Sequence, residues 1–309
     1  MNERILAADT PADSSGGGTV LANFGRSALV QTDAAAVHCG IRGRQLRVVC
    51  GDRVRWQRQA PGGATVIEAV DARVNVLQRI DARGRSEAIA ANIDRLAIVI
   101  APEPKPDWFI LDRYMAGAQL KEIPALLILN KCDLDAATLA QDLMVYRRLN
   151  IECHEVIARQ PATLAPLRTA ILTGATMLVG QSGVGKSSLI NALIPDAVAQ
   201  TATLSRDAEG RHTTTTARRY QLDPATALID APGVRDFAPP ASFDRAAERG
   251  FVEIHAAGAN CKFSDCRHFD EPHCAVRIGV TAGRIDARRY ESYRRLLRLF
   301  ESFADNRNR

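Results

Sequence analysis

The residue types and spacing best suited to chemistry are found at residues 180–187. Their sequence, GQSGVGKS, matches the pattern GxxxxGK[ST]. Glycines let successive backbone N–H groups turn inward around a polyphosphate, and a following helix adds its N-terminal dipole. In such a loop the lysine, Lys186, contacts the β- and γ-phosphates, while the Ser187 hydroxyl ligates Mg²⁺. An apolar strand candidate at residues 176–179 precedes the loop, and a helical pattern follows it. The predicted phosphate-binding residues are Gly180, Gln181, Ser182, Gly183, Val184, Gly185, Lys186, Ser187 and Ser188.

The stretch NKCD at residues 130–133 follows the apolar run 126–129 and predicts the identity of the base. The carboxylate of Asp133 can accept two hydrogen bonds from guanine, whereas adenine would leave it unpaired, a difference that can discriminate by ~10⁴ or more. The Lys131 stem can pack over the base, and Asn130 can brace the loop. With Cys132 between them, these residues predict a guanine site rather than an adenine site.

DAPG at residues 230–233 directly follows another apolar run. Asp230 at a strand end can hold Mg²⁺ through water, and the Gly233 N–H can contact the γ-phosphate. A polar stretch, GRHTTTT at 210–216, contains threonines that could complete the Mg²⁺ shell when GTP is bound. We favour Thr214, with its neighbours left open and a threonine-rich β edge as the alternative.

Hydrolysis needs a side chain that positions water. The residue after Gly233 is Val234, which cannot do so. His212 is the best candidate within the polar stretch, and an ordinary surface histidine is the alternative.

A cysteine cluster near the end of the chain has the spacing of a metal site. Three thiolates and one imidazole, Cys261, Cys266, His268 and Cys274, satisfy a tetrahedral Zn²⁺ and leave no open position. His273 and His255 compete with His268 as the fourth ligand, and free reduced cysteines are the alternative. The other four cysteines are scattered, which indicates a reducing compartment rather than a disulfide framework.

Composition is that of a globular protein, with 46% hydrophobic residues among 309, enough for two or three domains. No apolar run approaches the ~20 residues of a membrane span, and the N-terminus does not have the pattern of a secretory signal. The net charge of +5 mildly favours anionic partners. Arginines crowd the C-terminus and predict either a solvated helix face or a surface for RNA or an acidic partner. They are Arg284, Arg288, Arg289, Arg294, Arg295 and Arg298.

The pattern of apolar and polar residues divides the chain into four segments. Residues 1–18 are expected to be a flexible lead-in. Short β-type runs over residues 19–85 (GTVLANFG, RQLRVV, GDRVRW, ATVIEAVDARVNVLQ) predict a five-stranded oligonucleotide-binding (OB-like) barrel, with an SH3-like barrel as the alternative. Alternating apolar runs and helical patterns over 86–238 predict a doubly wound, mainly parallel α/β domain. Residues 239–309 are expected to form an α-rich zinc-binding domain that ends in a basic helix.

The motif order is unusual, because NKxD ordinarily comes after the phosphate loop. With a barrel ahead and a Cys₃His element behind, the chain from about residue 19 onward resembles the RsgA (YjeQ) family of circularly permuted, ribosome-small-subunit-dependent GTPases. The resemblance is carried by ANFG, GDRVRW, AANID, DRYMAGA, LNKCDL, GQSGVGKSSLIN, GRHTTTT, LIDAPGVRDF and CKFSDCRH.

The resemblance implies a cytoplasmic enzyme that hydrolyses GTP to GDP during late maturation of the small ribosomal subunit. Such proteins bind the subunit and its rRNA through the barrel and the zinc domain and are stimulated by it. We expect one structural Zn²⁺, Mg²⁺ with GTP, and a monomer. The family's Ser-Ala pair for the guanine is replaced here by residues 156–158, VIA, so only the backbone N–H of Ala158 can serve.

Two other functions fit parts of the sequence. A GTP-regulated RNA-binding protein acting away from the ribosome would share every motif. A metabolic enzyme that couples GTP cleavage to a small substrate would need a second group of acids, bases or nucleophiles, which the sequence lacks.

Overall fold

The computed structural model describes residues 15–43, 45–60, 63–80, 86–171, 173–194, 217–223, 225–231 and 247–307. Along the chain these residues form a small β-barrel, a β-strand pair, an α/β domain and a helical C-terminal segment.

The barrel consists of β1 (Ser15–Asn23), β2 (Ser27–Gln31), β3 (Ala36–Ile41), β4 (Arg53–Arg58) and β5 (Thr65–Val70). Its strands are ordered β1-β2-β3-β5-β4, and β4 pairs back with β1 to close the sheet. Only the β3–β5 pair is parallel among these strands. Side chains alternate along β4, so that Val54 and Trp56 point into the barrel core. The predicted five-stranded barrel is confirmed.

Residues 15–18, expected to be a flexible lead-in, instead form the start of β1 and pair with β4. The glycines permit a close approach of the Trp56 ring. A Cβ added at Gly16 would lie 2.9 Å from Trp56 Cζ2, and the Trp56 indole donates to the carbonyl of Gly17 over 3.0 Å. Small residues here therefore serve packing rather than flexibility.

RQLRVV was predicted to be a strand, but its described residues, 45–49, form none, although Val48 and Val49 are buried. Side chains satisfy the backbone in place of a neighbouring strand. The amide of Asn23 donates to the Val48 carbonyl, and the Val49 N–H donates to Asp52 Oδ2 over 2.7 Å.

Two antiparallel strands, β6 (Val76–Ile80) and β7 (Ser86–Ala91), follow the barrel. They lie on either side of the predicted domain boundary between residues 85 and 86. Gly51 joins the pair to the barrel: its φ is +84°, and an added Cβ would lie 2.2 Å from the Ala91 carbonyl oxygen. The β6–β7 pair is thus a connecting element rather than the edge of either domain.

The α/β domain has strands β8 (Arg95–Ile100), β9 (Ala125–Leu129), β10 (Glu152–Glu155), β11 (Ala175–Val179), β12 (Arg218–Gln221) and β13 (Ala227–Asp230). Their order is β10-β9-β8-β11-β13-β12, and all neighbours are parallel except β12 with β13. A single pair, Ala22 with Arg218, links β1 of the barrel to β12.

Helices cover both faces of this sheet. They are α1 (Trp108–Leu120), α2 (Ala140–Arg148, preceded by a 3₁₀ turn at Ala136–Leu139), α3 (Pro161–Ile171) and α4 (Lys186–Leu193). One apolar cluster includes side chains of α1 and α2, and a second includes side chains of α3 and α4. Successive residues of β8 belong to alternate clusters, which explains why the strand is apolar throughout. The predicted doubly wound sheet is confirmed.

The C-terminal segment contains a 3₁₀ turn (Ala247–Gly250), α5 (Val252–Gly258), α6 (Ala275–Thr281) and α7 (Ala287–Arg307). Its apolar cluster includes Phe251, Tyr293 and Ala116 of α1, so its core is shared with the α/β domain. A Cβ at Gly250 would lie 2.7 Å from Ala116 Cβ, and the 3₁₀ turn therefore packs directly on α1. None of the described helices has the length and apolar character needed to cross a membrane.

A buried ionic cluster also joins α7 to α1. Arg289, whose side chain is 4% exposed, donates to Asp112 Oδ1 over 2.8 Å and forms an ion pair with Glu253 over 2.5 Å. Arg288 donates to the Tyr146 hydroxyl over 2.9 Å and stacks over Trp108. Three of the six C-terminal arginines therefore contact the α/β domain, because Arg295, although exposed, also lies over the Phe109 ring of α1. Arg284 and Arg298 are exposed.

We expect Asp112→Ala to lower the free energy of unfolding by about 3 kcal/mol, because it leaves a buried guanidinium with only one of its carboxylates. Urea unfolding followed by tryptophan fluorescence measures the change. Glu68→Ala is the control, since it removes an ion pair with Arg42 in which both side chains are exposed, worth less than ~1 kcal/mol. Equal losses in the two variants would contradict the importance of the buried cluster.

Candidate nucleotide and metal sites

Four segments with predicted nucleotide contacts meet at one edge of the α/β sheet. Residues 180–185 follow β11, Asn130 follows β9, residues 156–158 follow β10, and Asp230 ends β13. These strands are parallel, so their carboxyl ends lie at the same edge, where ligands bind in open α/β sheets.

Glycines give the 180–185 loop a backbone that other residues would strain. The φ angles of Gly180, Gly183 and Gly185 are +144°, +83° and +93°. A Cβ at Gly180 would lie 2.2 Å from the Val99 carbonyl oxygen, and one at Gly185 would lie 2.3 Å from Asn130 Nδ2. Gly185 is also the N-cap of α4, so the loop leads straight into a helix N-terminus. This geometry suits a polyphosphate.

Lys186 begins α4 and extends back over the loop. Its ammonium donates to the carbonyls of Gly180 and Gln181 over 2.9 and 2.8 Å. The ammonium group of Lys186 therefore lies at the opening of the phosphate loop. Oxygens of a bound phosphate would replace the two carbonyls as its hydrogen-bond acceptors.

Asn130 connects three of the loops. Its side chain is buried; Nδ2 donates to the Val184 carbonyl over 3.0 Å, and Oδ1 accepts the Ala158 N–H over 3.2 Å. Asn130 thus joins the base loop to the phosphate loop and to residues 156–158. The Ala158 N–H is engaged with Asn130, and its contact with guanine stays a prediction.

Lys131 adds a second link between the base and phosphate loops. At φ +60°, it donates from Nζ to the carbonyls of Gly183 and Glu103 over 2.7 and 2.8 Å. The next residue, Cys132, is half-buried, and burial raises the pKa of its thiol. Asp133 is exposed, so its carboxylate is accessible to a base.

Asp230 is suited to a cation. Its Oδ1 is buried and has no hydrogen-bond partner within the described segments. Burial raises the pKa of the carboxyl, while the positive charges of Lys186 and Arg218 lower it. Ser187 is exposed in the first turn of α4, next to Lys186. An unsatisfied carboxylate oxygen and a serine hydroxyl fit the donor set that Mg²⁺ prefers.

Three predicted residues, His212, Thr214 and Gly233, lie outside the described residues, as does Val234. Their roles stay predictions.

Gln181 makes a contact that sequence reasoning missed. Its Oε1 accepts the Asp107 N–H over 2.9 Å, and the Asp107 carboxylate caps α1 by accepting the N–H groups of Phe109 and Ile110. Aspartate before an apolar helical run is a capping signal that identifies the helix start. The hydrogen bond from Asp107 to Gln181 joins residues far apart in the sequence, and no local sequence pattern predicts it.

The four predicted metal ligands are brought together. The Cys261, Cys266, His268 and Cys274 donor atoms all lie within 4.8 Å of one another, the one such group found among the described residues. Sγ of Cys261 is 3.9 Å from Sγ of Cys274, and these atoms lie 3.5 and 3.4 Å from His268 Nδ1. A tetrahedron with Zn–S bonds of ~2.3 Å and a Zn–N bond of ~2.05 Å has edges of about 3.8 and 3.6 Å. The three measured distances among Cys261, Cys274 and His268 therefore match the edges of a tetrahedral site, and Cys266 lies close enough to be the fourth ligand.

Neither competing histidine belongs to this group. His255 Nδ1 lies 3.2 Å from Glu248 Oε1. His268 is the histidine of the cluster because its ring is buried and its Nδ1 lies next to the thiols of Cys261 and Cys274.

A doubly wound parallel sheet with a GxxxxGK[ST] loop, and with NKxD earlier in the chain rather than later, defines a circularly permuted P-loop GTPase. The sequence model of the RsgA GTPase family matches residues 70–239. The chain belongs to this family, and it is a GTP hydrolase.

Similar proteins span nearly the whole chain. A protein of Azotobacter vinelandii named small ribosomal subunit biogenesis GTPase RsgA is 39% identical, over 91% of this chain and 84% of its own. The protein of that name from Alcanivorax borkumensis is 37% identical over 94% and 86%. The crystal structure of YjeQ from Thermotoga maritima superposes with a TM-score of 0.71 at 26% identity, covering 94% of this chain and 99% of that one.

The fold alone is also shared with YloQ, described as a circularly permuted GTPase. Its TM-score is 0.70 at 21% identity, with 96% and 98% of the two chains covered. The permuted order expected from the sequence is therefore confirmed.

We expect Asp133→Asn to shift base preference from guanine toward xanthine. The amide NH₂ would donate a hydrogen bond where the carboxylate oxygen accepted one, and xanthine has an oxygen where guanine has its 2-amino group. Fluorescence competition with GDP and XDP measures the two affinities, and GDP affinity should fall by ~10²-fold or more. Asp135→Asn is the matched control, since Asp135 is also exposed and two residues further on. Unchanged GDP affinity in Asp133→Asn would show that another group reads the base.

Proposed function

We propose that this GTPase acts in biogenesis of the small ribosomal subunit, binds the subunit through its rRNA, and hydrolyses GTP faster when bound. The observation that carries the proposal is that the similarity to these relatives extends over nearly the whole chain. Relatives named for small-subunit biogenesis match 91% of the chain, including the barrel and the Cys₃His cluster as well as the nucleotide site. A GTPase domain alone would match only the middle of the chain.

In this proposal one set of residues binds the guanine base and another set binds the phosphates. Asp133 reads guanine, Lys131 covers the base, and Asn130 keeps the base loop against the phosphate loop. The backbone N–H groups of residues 180–188 bind the phosphates, and Lys186 neutralises their charge.

Hydrolysis would be carried out by residues around the γ-phosphate. Ser187 and Thr214 would hold Mg²⁺, with Asp230 acting through water, and the ion would supply positive charge that stabilises the phosphates during transfer. The Gly233 N–H contacts the γ-phosphate, and His212 positions the attacking water.

We propose that the metal at the cysteine cluster is one structural Zn²⁺, because three thiolates and an imidazole prefer it to harder cations. With four protein ligands it has no open position and takes no part in hydrolysis. It would instead stabilise a segment whose apolar core is small.

The exposed arginines Arg284, Arg295 and Arg298 support rRNA binding, since guanidinium groups pair well with phosphates. We further propose that the protein works in the cytoplasm as a monomer; the few and scattered cysteines outside the cluster support a reducing compartment.

We expect purified small ribosomal subunits to raise the GTP turnover rate by ~10-fold or more, while large subunits and free RNA leave it nearly unchanged, because activation requires a specific docked geometry rather than general phosphate attraction. Phosphate release is measured at one salt concentration, since such binding is salt-dependent. Lys186→Ala controls for contaminating GTPases. Equal stimulation by any RNA would favour a GTP-regulated RNA-binding protein acting away from the ribosome.

We expect the wild-type chain to contain about one zinc ion and Cys274→Ser to lose most of it, because one lost thiolate leaves three ligands. Elemental analysis gives the stoichiometry, and hydrogen exchange should show faster opening of α6 and α7. Cys153→Ser, a half-buried cysteine outside the cluster, is the control and should keep its zinc. Absence of metal in the wild type would contradict the zinc site.

A further inference from the structure

Glu248 lies beside the metal ligand His268, although the cysteine motif does not include it. His268 Nδ1 faces the thiols of Cys261 and Cys274. The other ring nitrogen, Nε2, is buried and has no hydrogen-bond partner among the described residues. Glu248 Oε2 lies 3.5 Å from Nε2, a few tenths of an ångström beyond a good hydrogen bond. A carboxylate is therefore next to the nitrogen that a metal at Nδ1 would leave free.

The chemistry of the ring requires an acceptor at this place. A histidine that binds a metal through Nδ1 is neutral and carries its proton on Nε2. A buried N–H without a partner is destabilising, because it loses its hydrogen bonds to water and gains none. Metal-ligating histidines usually donate this N–H to a carboxylate or carbonyl, which fixes the tautomer and the ring orientation.

The fold holds Glu248 at this position from two sides. The residue belongs to the 3₁₀ turn Ala247–Gly250, which packs on α1 through Gly250 and Ala116. The carboxylate also faces Gly258, where an added Cβ would lie 2.4 Å from Glu248 Oε1 and 3.2 Å from His268 Nε2. The absence of a side chain at Gly258 makes room for the contact.

The second carboxylate oxygen has a different partner. Glu248 Oε1 lies 3.2 Å from Nδ1 of His255, whose side chain is 57% exposed. Glu248 therefore bridges a solvent-facing histidine and a buried one, and only the buried one belongs to the metal cluster.

We propose that Glu248 is the positioning residue of the metal site, which orients the His268 ring and fixes its proton on Nε2. The proposal rests on the zinc site proposed above. It also means that the metal's outer shell is attached to α1 of the GTPase domain, because the turn that carries Glu248 packs there.

The test measures zinc affinity of the full chain by competition with a chromogenic chelator. Glu248→Ala should weaken zinc binding by about 10- to 100-fold. Glu248→Gln should recover most of this loss, since its amide oxygen can still accept the Nε2 proton. Gly258→Ala should also weaken binding, because it displaces the carboxylate without removing a polar group.

A spectroscopic measurement separates positioning from general stability. In zinc-loaded protein with ¹⁵N-labelled histidine, the His268 Nε2 proton should give a slowly exchanging, downfield resonance that Glu248→Ala moves or broadens. His255→Ala and Glu291→Ala are controls and should leave both zinc affinity and this resonance unchanged; Glu291 is a carboxylate elsewhere on α7.

Unchanged zinc affinity and an unchanged His268 resonance in Glu248→Ala would overturn the proposal. Loss of affinity in Glu248→Gln equal to that in Glu248→Ala would also overturn it, because the charge rather than the acceptor would then matter. A wild-type chain that binds no zinc would instead refute the zinc site itself, so the two failures are distinguishable. If Glu248→Ala does not fold, Glu248→Gln and Gly258→Ala still decide the question.

Discussion

The carboxylate of Asp112 and the guanidinium of Arg289 form a buried contact on which the arrangement of the domains depends. Neither group can be solvated where it lies, so each requires the other, and α7 is held in one position on α1. Glu253 of α5 completes the cluster from a third helix. Buried charge of this kind adds little net stability compared with apolar packing, but it penalises every alternative docking of the C-terminal segment.

Helix α1 is consequently in contact with both sites. At its N-terminus the Asp107 N–H donates to Gln181 of the phosphate loop. Further along, Ala116 contacts the turn that carries Glu248, and Asp112 binds α7. The phosphate loop and the turn beside the metal cluster are therefore connected through one helix.

The sequence predicted best where chemistry demands particular residues at fixed spacing. The phosphate loop, NKCD and the cysteine cluster need those side chains, and the apolar runs of β8, β9 and β11 are determined by burial on two faces. Prediction from the sequence failed where the conformation that local residues prefer differs from the one that tertiary packing imposes. Gly16 and Gly18 looked flexible but allow close packing in β1, while the apolar residues Val48 and Val49 are buried without strand pairing because the Asn23 and Asp52 side chains satisfy their backbone.

Long-range polar contacts were also beyond prediction. Arg288 and Arg289 have the same local pattern as the exposed Arg298, and only the position of α1 distinguishes them. Glu248 is likewise an ordinary acidic residue until the fold brings it to His268.

The C-terminal segment has little apolar core of its own, which explains why it packs on α1 and contains a cluster that could hold a metal. Its described helices α5 and α6 are only seven residues each, too short to be stable alone, and its apolar cluster borrows Ala116 and Phe109 from α1. A small core of this kind is usually completed by a metal or by a partner domain. Here the two are joined through one short turn, since Gly250 of the 3₁₀ turn packs on Ala116 and Glu248 of the same turn lies beside His268. With the proposed metal bound, loss of the contact with α1 would therefore weaken the metal site, and loss of the metal would loosen the segment although the Asp112–Arg289 contact still joins it to α1.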